Sequence, residues 1–131
     1  MAQRPAAIGM LLCEQVIIEE STKNVTPVNC FRRRTVRRFP SDPFEFVVLA
    51  MLNDGVGEIS LDLVIERLDT LDAILKRSIS FRLRDQLQEV CCLFRIRGCS
   101  FPVPSGYEAL RYANKELIAQ RRFRIIQEET V

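Results

Sequence analysis

Residues 44–67 constrain the fold of this chain more than any other segment. Residues 44–52 are apolar at nearly every position, which is typical of a strand covered on both faces. Residues 59–66 alternate between apolar and mostly polar side chains, the pattern of a strand with one buried face. Residues 53–57, with the sequence NDGVG, tolerate the positive φ angles of a reversing loop. The segment therefore predicts a β-hairpin at the centre of a sheet.

Shorter strand patterns follow one another along the rest of the chain, separated by turn residues. They lie at residues 8–20, 25–36, 88–97, 107–113 and 117–126. The total is about seven or eight strands, which predicts an all-β fold, an antiparallel immunoglobulin-like β-sandwich. A chain of 131 residues fits one domain, which we expect over residues 8–127 with flexible termini at 1–7 and 128–131.

Residues 62–77 allow two interpretations. Helical spacing of apolar residues, Val64, Leu68, Leu71 and Leu75, is compatible with a short amphipathic helix. A strand, a turn at residues 69–72 and another strand fit the same segment. We favour the strands because the preceding alternation is strict and the surrounding patterns are β.

The last third of the chain contains a predicted corner and a predicted hairpin. Gly106 and Tyr107 follow a proline-rich turn, which indicates a tyrosine corner whose hydroxyl bonds to nearby backbone. The final hairpin turns at Asn114, which tolerates a left-handed conformation. Arg121 shares the parity of the buried Phe123, so either a bulge shifts the register or Arg121 lies at the sandwich edge with its stem buried.

Composition excludes several classes of function. The chain has no histidine, which removes Ser-His-Asp and Cys-His catalysis and the usual two-histidine metal sites. Glycines 55 and 57 lack the lysine and helix of a phosphate loop. The paired carboxylates lie in predicted turns or tails, so we expect no enzyme, no cofactor and no metal. A calcium site at Asp54 and Glu58 is a weaker alternative, because calcium requires six or more oxygen ligands.

The five cysteines, Cys13, Cys30, Cys91, Cys92 and Cys99, form an odd set without CxxC spacing. We interpret them as reduced core residues of a cytoplasmic protein. A disulfide between Cys30 and either Cys91 or Cys92 is the alternative, and zinc would need four thiolates or carboxylates from scattered strands. No apolar run approaches the ~20 residues of a membrane span.

Arginines cluster in one segment, at Arg32, Arg33, Arg34, Arg37 and Arg38. The overall charge is nearly balanced, with 19 basic and 17 acidic residues, so any electrostatic function must come from such local clusters. One interpretation is a solvated edge strand that charge protects from aggregation. The functional interpretation is a groove for an anionic partner, nucleic acid included.

The outward side of the doubly apolar strand suggests an interface. Val47, Leu49 and Met51 would face away from the core of a two-sheet sandwich, and an exposed apolar patch often marks a contact surface. Our first hypothesis is therefore a non-enzymatic interaction module that binds a protein partner or a second copy of itself. The alternative is anion or nucleic-acid binding through Arg32–Arg38, and a calcium-dependent membrane-binding sandwich ranks third.

Three stretches carry a resemblance to a known family: LLCEQVIIEESTKNVTPVNCF, RFPSDPFEFVVLAMLNDGVGE and SFPVPSGYEALRYANKELIAQRRFRI. Over residues 8–127 the chain resembles a bacterial family of short, single-domain proteins of unknown function with an immunoglobulin-like β-sandwich. The family has Asp-Gly in the last hairpin turn, where this chain has Asn114-Lys115. The resemblance implies the sandwich fold and adds no catalytic residue.

Overall fold

The computed structural model describes residues 4–85 and 89–129, which form strands, turns and loops only. The strands are β1 (Ala6–Ile18), β2 (Val25–Cys30), β3 (Arg33–Val36), β4 (Phe44–Asn53), β5 (Gly57–Arg67), β6 (Ala73–Leu83), β7 (Val90–Cys99), β8 (Ser105–Ala113) and β9 (Glu116–Gln127). No helix in these two ranges is long and apolar enough to cross a membrane.

The strands form two sheets that enclose one core. The first has four antiparallel strands in the order β2-β1-β4-β7, and the second has five in the order β3-β9-β8-β5-β6. All neighbouring pairs are antiparallel except β3 and β9, which run parallel. The predicted all-β class is confirmed. The prediction of a wholly antiparallel sandwich with seven or eight strands is wrong, since the described residues contain nine strands, and an immunoglobulin-like arrangement is not established.

The predicted central hairpin is wrong in its pairing. Both strands exist, but β4 pairs with β1 and β7 in the four-stranded sheet, and β5 pairs with β6 and β8 in the other. The connection is an arch between sheets, with Asp54 at φ 62° and Gly57 at φ 86°. A Cβ at Gly55 would lie 2.6 Å from a methyl carbon of Leu83, so this loop packs too tightly for a side chain.

Two other predictions about local structure are confirmed. Residues 62–77 are strand, turn and strand, with the turn closed by the Arg67 N–H donating to the Asp72 carbonyl at 2.9 Å. Asn114 and Lys115 both have positive φ, 48° and 71°, as a two-residue hairpin turn of type I′ requires.

Gln88, where we placed the start of the next strand, lies outside the described residues, as do positions 1–3 and 130–131. The limits of the domain stay a prediction.

Both alternatives for Arg121 occur together. Arg111 pairs with Ala119 and Tyr112 pairs with Leu117, so Ile118 is the extra residue of a bulge in β9. Arg121 itself is half-buried, and its Nη1 donates to the Met10 carbonyl of β1 at 3.4 Å. The side chain therefore joins the two sheets at their margin.

The core takes its side chains from both sheets in strict alternation. From β4 and β5 it receives Phe46, Val48, Ala50, Leu52, Ile59, Leu61, Leu63 and Ile65, each at most 1% exposed. Phe101, Tyr107 and Phe123 form an aromatic cluster, with the Phe101 and Tyr107 ring centroids 4.9 Å apart. Burial of an aromatic or branched side chain of this size contributes roughly 2 kcal/mol or more.

The tyrosine corner is present. The Tyr107 hydroxyl donates to the Val103 carbonyl at 2.6 Å, and Val103 lies in the connection from β7 to β8. Because β7 and β8 belong to different sheets, this hydrogen bond fixes an arch over the edge of the core. The ring of Tyr107 is fully buried, and burial raises the pKa of its hydroxyl.

A fully buried arginine crosses the core between the sheets. Arg111 of β8 is 0% exposed, and its Nη2 donates to the carbonyls of Val48 at 2.7 Å and Cys92 at 3.3 Å. Its Nη1 lies 3.4 Å from the Cys92 sulfur, and its guanidinium carbon lies 4.3 Å from the centroid of the Phe94 ring. No carboxylate of the described residues forms an ion pair with it. Burial lowers the pKa of Arg111, although an arginine stays charged in proteins.

We expect Tyr107→Phe to lower the free energy of unfolding by about 1 kcal/mol, because the substitution removes one buried hydrogen bond to the Val103 carbonyl. Urea denaturation measures the change. Tyr112→Phe is the matched control, since Tyr112 is a half-buried tyrosine of the same strand whose hydroxyl forms no hydrogen bond with the described residues. Equal stability of the two variants would contradict the corner.

We expect Arg111→Lys to lower the free energy of unfolding by about 2–4 kcal/mol, because the single ammonium nitrogen of the shorter lysine side chain cannot take the places of both Nη1 and Nη2 and lacks the planar group that stacks on Phe94. Thermal and urea unfolding measure the loss. Arg122→Lys, on the outer face of the neighbouring strand, keeps its ion pair with Glu108 and should change stability little. An unchanged stability for Arg111→Lys would show that the guanidinium does not hold the sheets together.

Candidate functional site

The four-stranded sheet carries a groove on the side away from the core. This outer groove has a volume of about 710 Å³, and its walls are mostly apolar. Its floor is formed by Leu11, Leu49, Met51, Cys91 and Leu93, from strands β1, β4 and β7. Lys23 and Glu89 are its charged residues. The register pairs Leu11 with Leu49 and Leu49 with Leu93, so these three leucines form one continuous row across the strands.

The hairpin of β1 and β2 overhangs the outer groove. Ile18, Val25 and Pro27 of this hairpin line the groove together with residues at the start of β7. In a flat sheet with this register, the turn of the hairpin and the start of β7 would lie at opposite ends of the strands, because β1 pairs with β4 only as far as Cys13. They can meet around one groove only if the end of the hairpin bends back over the sheet. Ile18, 45% exposed, thus adds an apolar side chain to the rim.

The predicted interface residues lie on this outer face, with different exposures. Val47 and Leu49 are 3% and 5% exposed, and Met51 is half-buried. None of the three belongs to the core cluster shared by the two sheets. Contact with a partner would therefore be made by Met51 and the half-buried leucines beside it, with Leu49 as the buried floor.

The arginine segment lines a second groove at the edge of the five-stranded sheet. This arginine groove, of about 780 Å³, is lined by Glu14, Asn29, Cys30, Phe31, Arg32, Arg33, Arg34, Thr35 and Arg124. Arg33 of β3 stands beside Arg124 of the parallel strand β9. The topology therefore adds Arg124, distant in sequence, to the predicted cluster.

The five predicted arginines divide into two groups. Three have partners: Arg34 stacks on the Phe44 ring at 4.0 Å, Arg37 pairs with Glu128 at 3.4 Å and Arg38 pairs with Asp42 at 3.0 Å. Arg32 and Arg33 form no ion pair with a carboxylate of the described residues, and the same holds for Arg124. The groove thus presents three exposed guanidinium groups for an anion.

The cysteine positions contradict the alternative of a disulfide between Cys30 and either Cys91 or Cys92. Cys30 lies on the edge strand β2, and Cys91 and Cys92 lie on β7, with the strands β1 and β4 between them. Three strand spacings amount to about 14 Å, which no disulfide can span. All five cysteines are free, and burial raises the pKa of Cys99 to about 11. In the part of the chain that the structure describes, no three metal-ligating side chains come together.

Two structural features, a buried arginine and a pair of facing cysteines, were not predicted from the sequence. Arg111 shares the parity of Tyr107, Ala109 and Ala113, so the alternation of β8 could have indicated a buried arginine. Cys13 stands directly opposite Cys30 on the neighbouring strand, a juxtaposition that follows from the register of β1 and β2. Nothing in the spacing of the cysteines indicates it.

Neither a protein-family model nor a curated protein matches this sequence. Among solved structures, the chain is similar to the alkylpurine DNA glycosylase AlkC of Pseudomonas fluorescens, solved bound to DNA containing an abasic site analog, with a TM-score of 0.52. Identity is 7%, and the match covers 89% of this chain but 30% of the glycosylase, so the similarity concerns the fold alone.

The predicted membership in a bacterial immunoglobulin-like family is wrong. No family model supports it, and the similar structure described above is that of a DNA glycosylase. The three quoted stretches therefore reflect strand and turn composition, which unrelated β-proteins can share.

Proposed function

We propose that this protein is a non-enzymatic interaction module that binds an apolar segment of a protein partner in the outer groove. The observation that carries the proposal is the groove itself: an apolar concavity on the face of a sheet whose other face already forms the core. Apolar concave surfaces of this kind commonly serve as contact sites.

Charge and shape at the groove describe the partner segment. The floor is a row of leucines with Met51, a flexible side chain that adapts to different apolar surfaces. Lys23 and Glu89 are the charges near it, so an extended apolar segment with an acidic residue near Lys23 and a basic one near Glu89 is complementary. A second copy of this chain is one protein that could supply such a segment. The five cysteines are free thiols, which supports a reducing, cytoplasmic location.

The test uses peptides selected for binding from a random phage-displayed library. We expect Met51→Glu and Leu93→Glu each to weaken binding of the selected peptides by about tenfold or more, because a charge would be buried against an apolar segment. Isothermal titration calorimetry measures the affinity. Sedimentation velocity of the wild-type protein shows whether a second copy is the occupant.

Val64→Glu is the matched control. Val64 is a half-buried valine of strand β5. It lies on the outer face of the five-stranded sheet, between the buried residues Leu63 and Ile65. This variant should bind the peptides as the wild type does, and all three variants should keep the wild-type melting temperature. Peptides that bind every variant equally, or a library that yields none, would overturn the proposal.

A second candidate function is nucleic-acid binding in the arginine groove. The exposed guanidinium groups of Arg32, Arg33 and Arg124 favour it, because arginine binds phosphate oxygens in a fixed, bidentate geometry. The similar structure is that of a glycosylase bound to DNA, which agrees with this function. The match covers only 30% of the glycosylase chain.

Replacement of Arg32, Arg33 and Arg124 together by serine tests this candidate. Fluorescence anisotropy with a labelled oligonucleotide measures the affinity at several salt concentrations. The triple variant should bind more weakly, and its slope of log affinity against log salt concentration should be smaller by roughly two to three, about one for each lost phosphate contact. The control removes the same charge from strand β6 by replacing Lys76, Arg77 and Arg82 with serine. Equal losses in the two variants would indicate a general charge effect and exclude the groove.

A further inference from the structure

The two cysteines at the base of the β1–β2 hairpin face each other across the strands. Cys13 pairs with Cys30 in the antiparallel register. The Phe31 N–H donates to the Leu12 carbonyl at 2.9 Å, one residue away on each strand, which identifies the cysteines as a non-hydrogen-bonded pair. In such a pair the Cα atoms are about 4.5 Å apart and the side chains approach closely, within the range that a disulfide bridges.

From this register we infer that Cys13 and Cys30 form a reversible disulfide with a glutathione-type disulfide as the oxidant. The pair is a modification site distinct from the two proposed binding functions, and its Cys30 side chain lines the arginine groove. Where the surroundings are reducing, such a pair is transient and senses the redox state of the compartment.

The two thiols have different environments, which sets the order of the steps. Cys30 is exposed and lines the arginine groove, so an anionic oxidant with carboxylate groups would be drawn to it. Cys13 is fully buried. Its burial is the main cause that raises its pKa, and the charge of the neighbouring Cys30 thiol raises it further. Cys30 is therefore the attacking thiol and Cys13 the resolving one.

The exchange is balanced in atoms and electrons. The Cys30 thiolate attacks one sulfur of glutathione disulfide, and one glutathione leaves as a thiolate and takes up the proton that Cys30 released. The Cys13 thiolate then attacks the Cys30 sulfur of the mixed disulfide, and the second glutathione leaves and takes up the proton of Cys13. Two protein thiols are oxidised, and one glutathione disulfide is reduced to two glutathione molecules.

The experiment exposes the folded protein to glutathione disulfide and identifies the product by intact mass and non-reducing peptide mapping. The wild type should lose two hydrogens, carry no glutathione and yield a peptide that joins Cys13 to Cys30. Cys13→Ser should keep glutathione on Cys30, because no thiol resolves the adduct. Cys91→Ser, the control, should form the same bridge as the wild type.

A second measurement follows the melting temperature of the oxidised and reduced wild type. The bridge closes a loop over residues 13–30, which should raise the melting temperature by roughly 10 °C, and dithiothreitol should reverse the rise. A wild type that keeps glutathione on Cys30 as its final product would overturn the inference. So would a bridge that involves Cys91, Cys92 or Cys99.

Discussion

A buried cation, the guanidinium group of Arg111, makes a directional contact between the two sheets of this protein. Most core side chains are hydrocarbon and pack without direction, whereas Arg111 bonds two carbonyl oxygens on different strands of the opposite sheet. Ala109 and Ala113, on the same face of β8, are small enough to leave room for it. A buried arginine without a carboxylate is costly, so its contribution is to specify one arrangement of the sheets more than to add stability.

The connections between the sheets depend on that arrangement. The chain passes from one sheet to the other at several connections, among them the β4–β5 arch and the β7–β8 arch, and Tyr107 pins the latter through Val103. Arg121 adds a bond to β1 at the margin. Because both arches cross the same core, a shift of one sheet past the other would break the Arg111 bonds and the tyrosine corner together.

Sequence patterns predicted the strands well and their partners poorly, for a physical reason. A period of two in residues 57–67 indicates which face of the strand meets the core, and the side chains of that face are the buried ones in the structure. The pattern says nothing about which strand lies alongside, so β4 and β5 were expected to form a hairpin when they belong to different sheets. The same limit explains why the arginine cluster was predicted without Arg124 and the cysteines without the Cys13–Cys30 pair: both depend on strand register.

The outer face of the four-stranded sheet lies next to the features for which we propose a function. A sheet with a row of leucines on its outer side would be an aggregation hazard if it were flat and open, and the β1–β2 hairpin reduces this hazard by bending over it. The base of the hairpin lies at the edge of the sheet. Cys13 and Cys30 face each other there, and Cys30 lines the adjacent arginine groove. The segment that shapes the apolar groove therefore starts from the pair of thiols that oxidation would join. The proposed bond would join the two strands of the hairpin to each other at its base, so oxidation would stiffen the segment that overhangs the outer groove without tying that segment to the sheet.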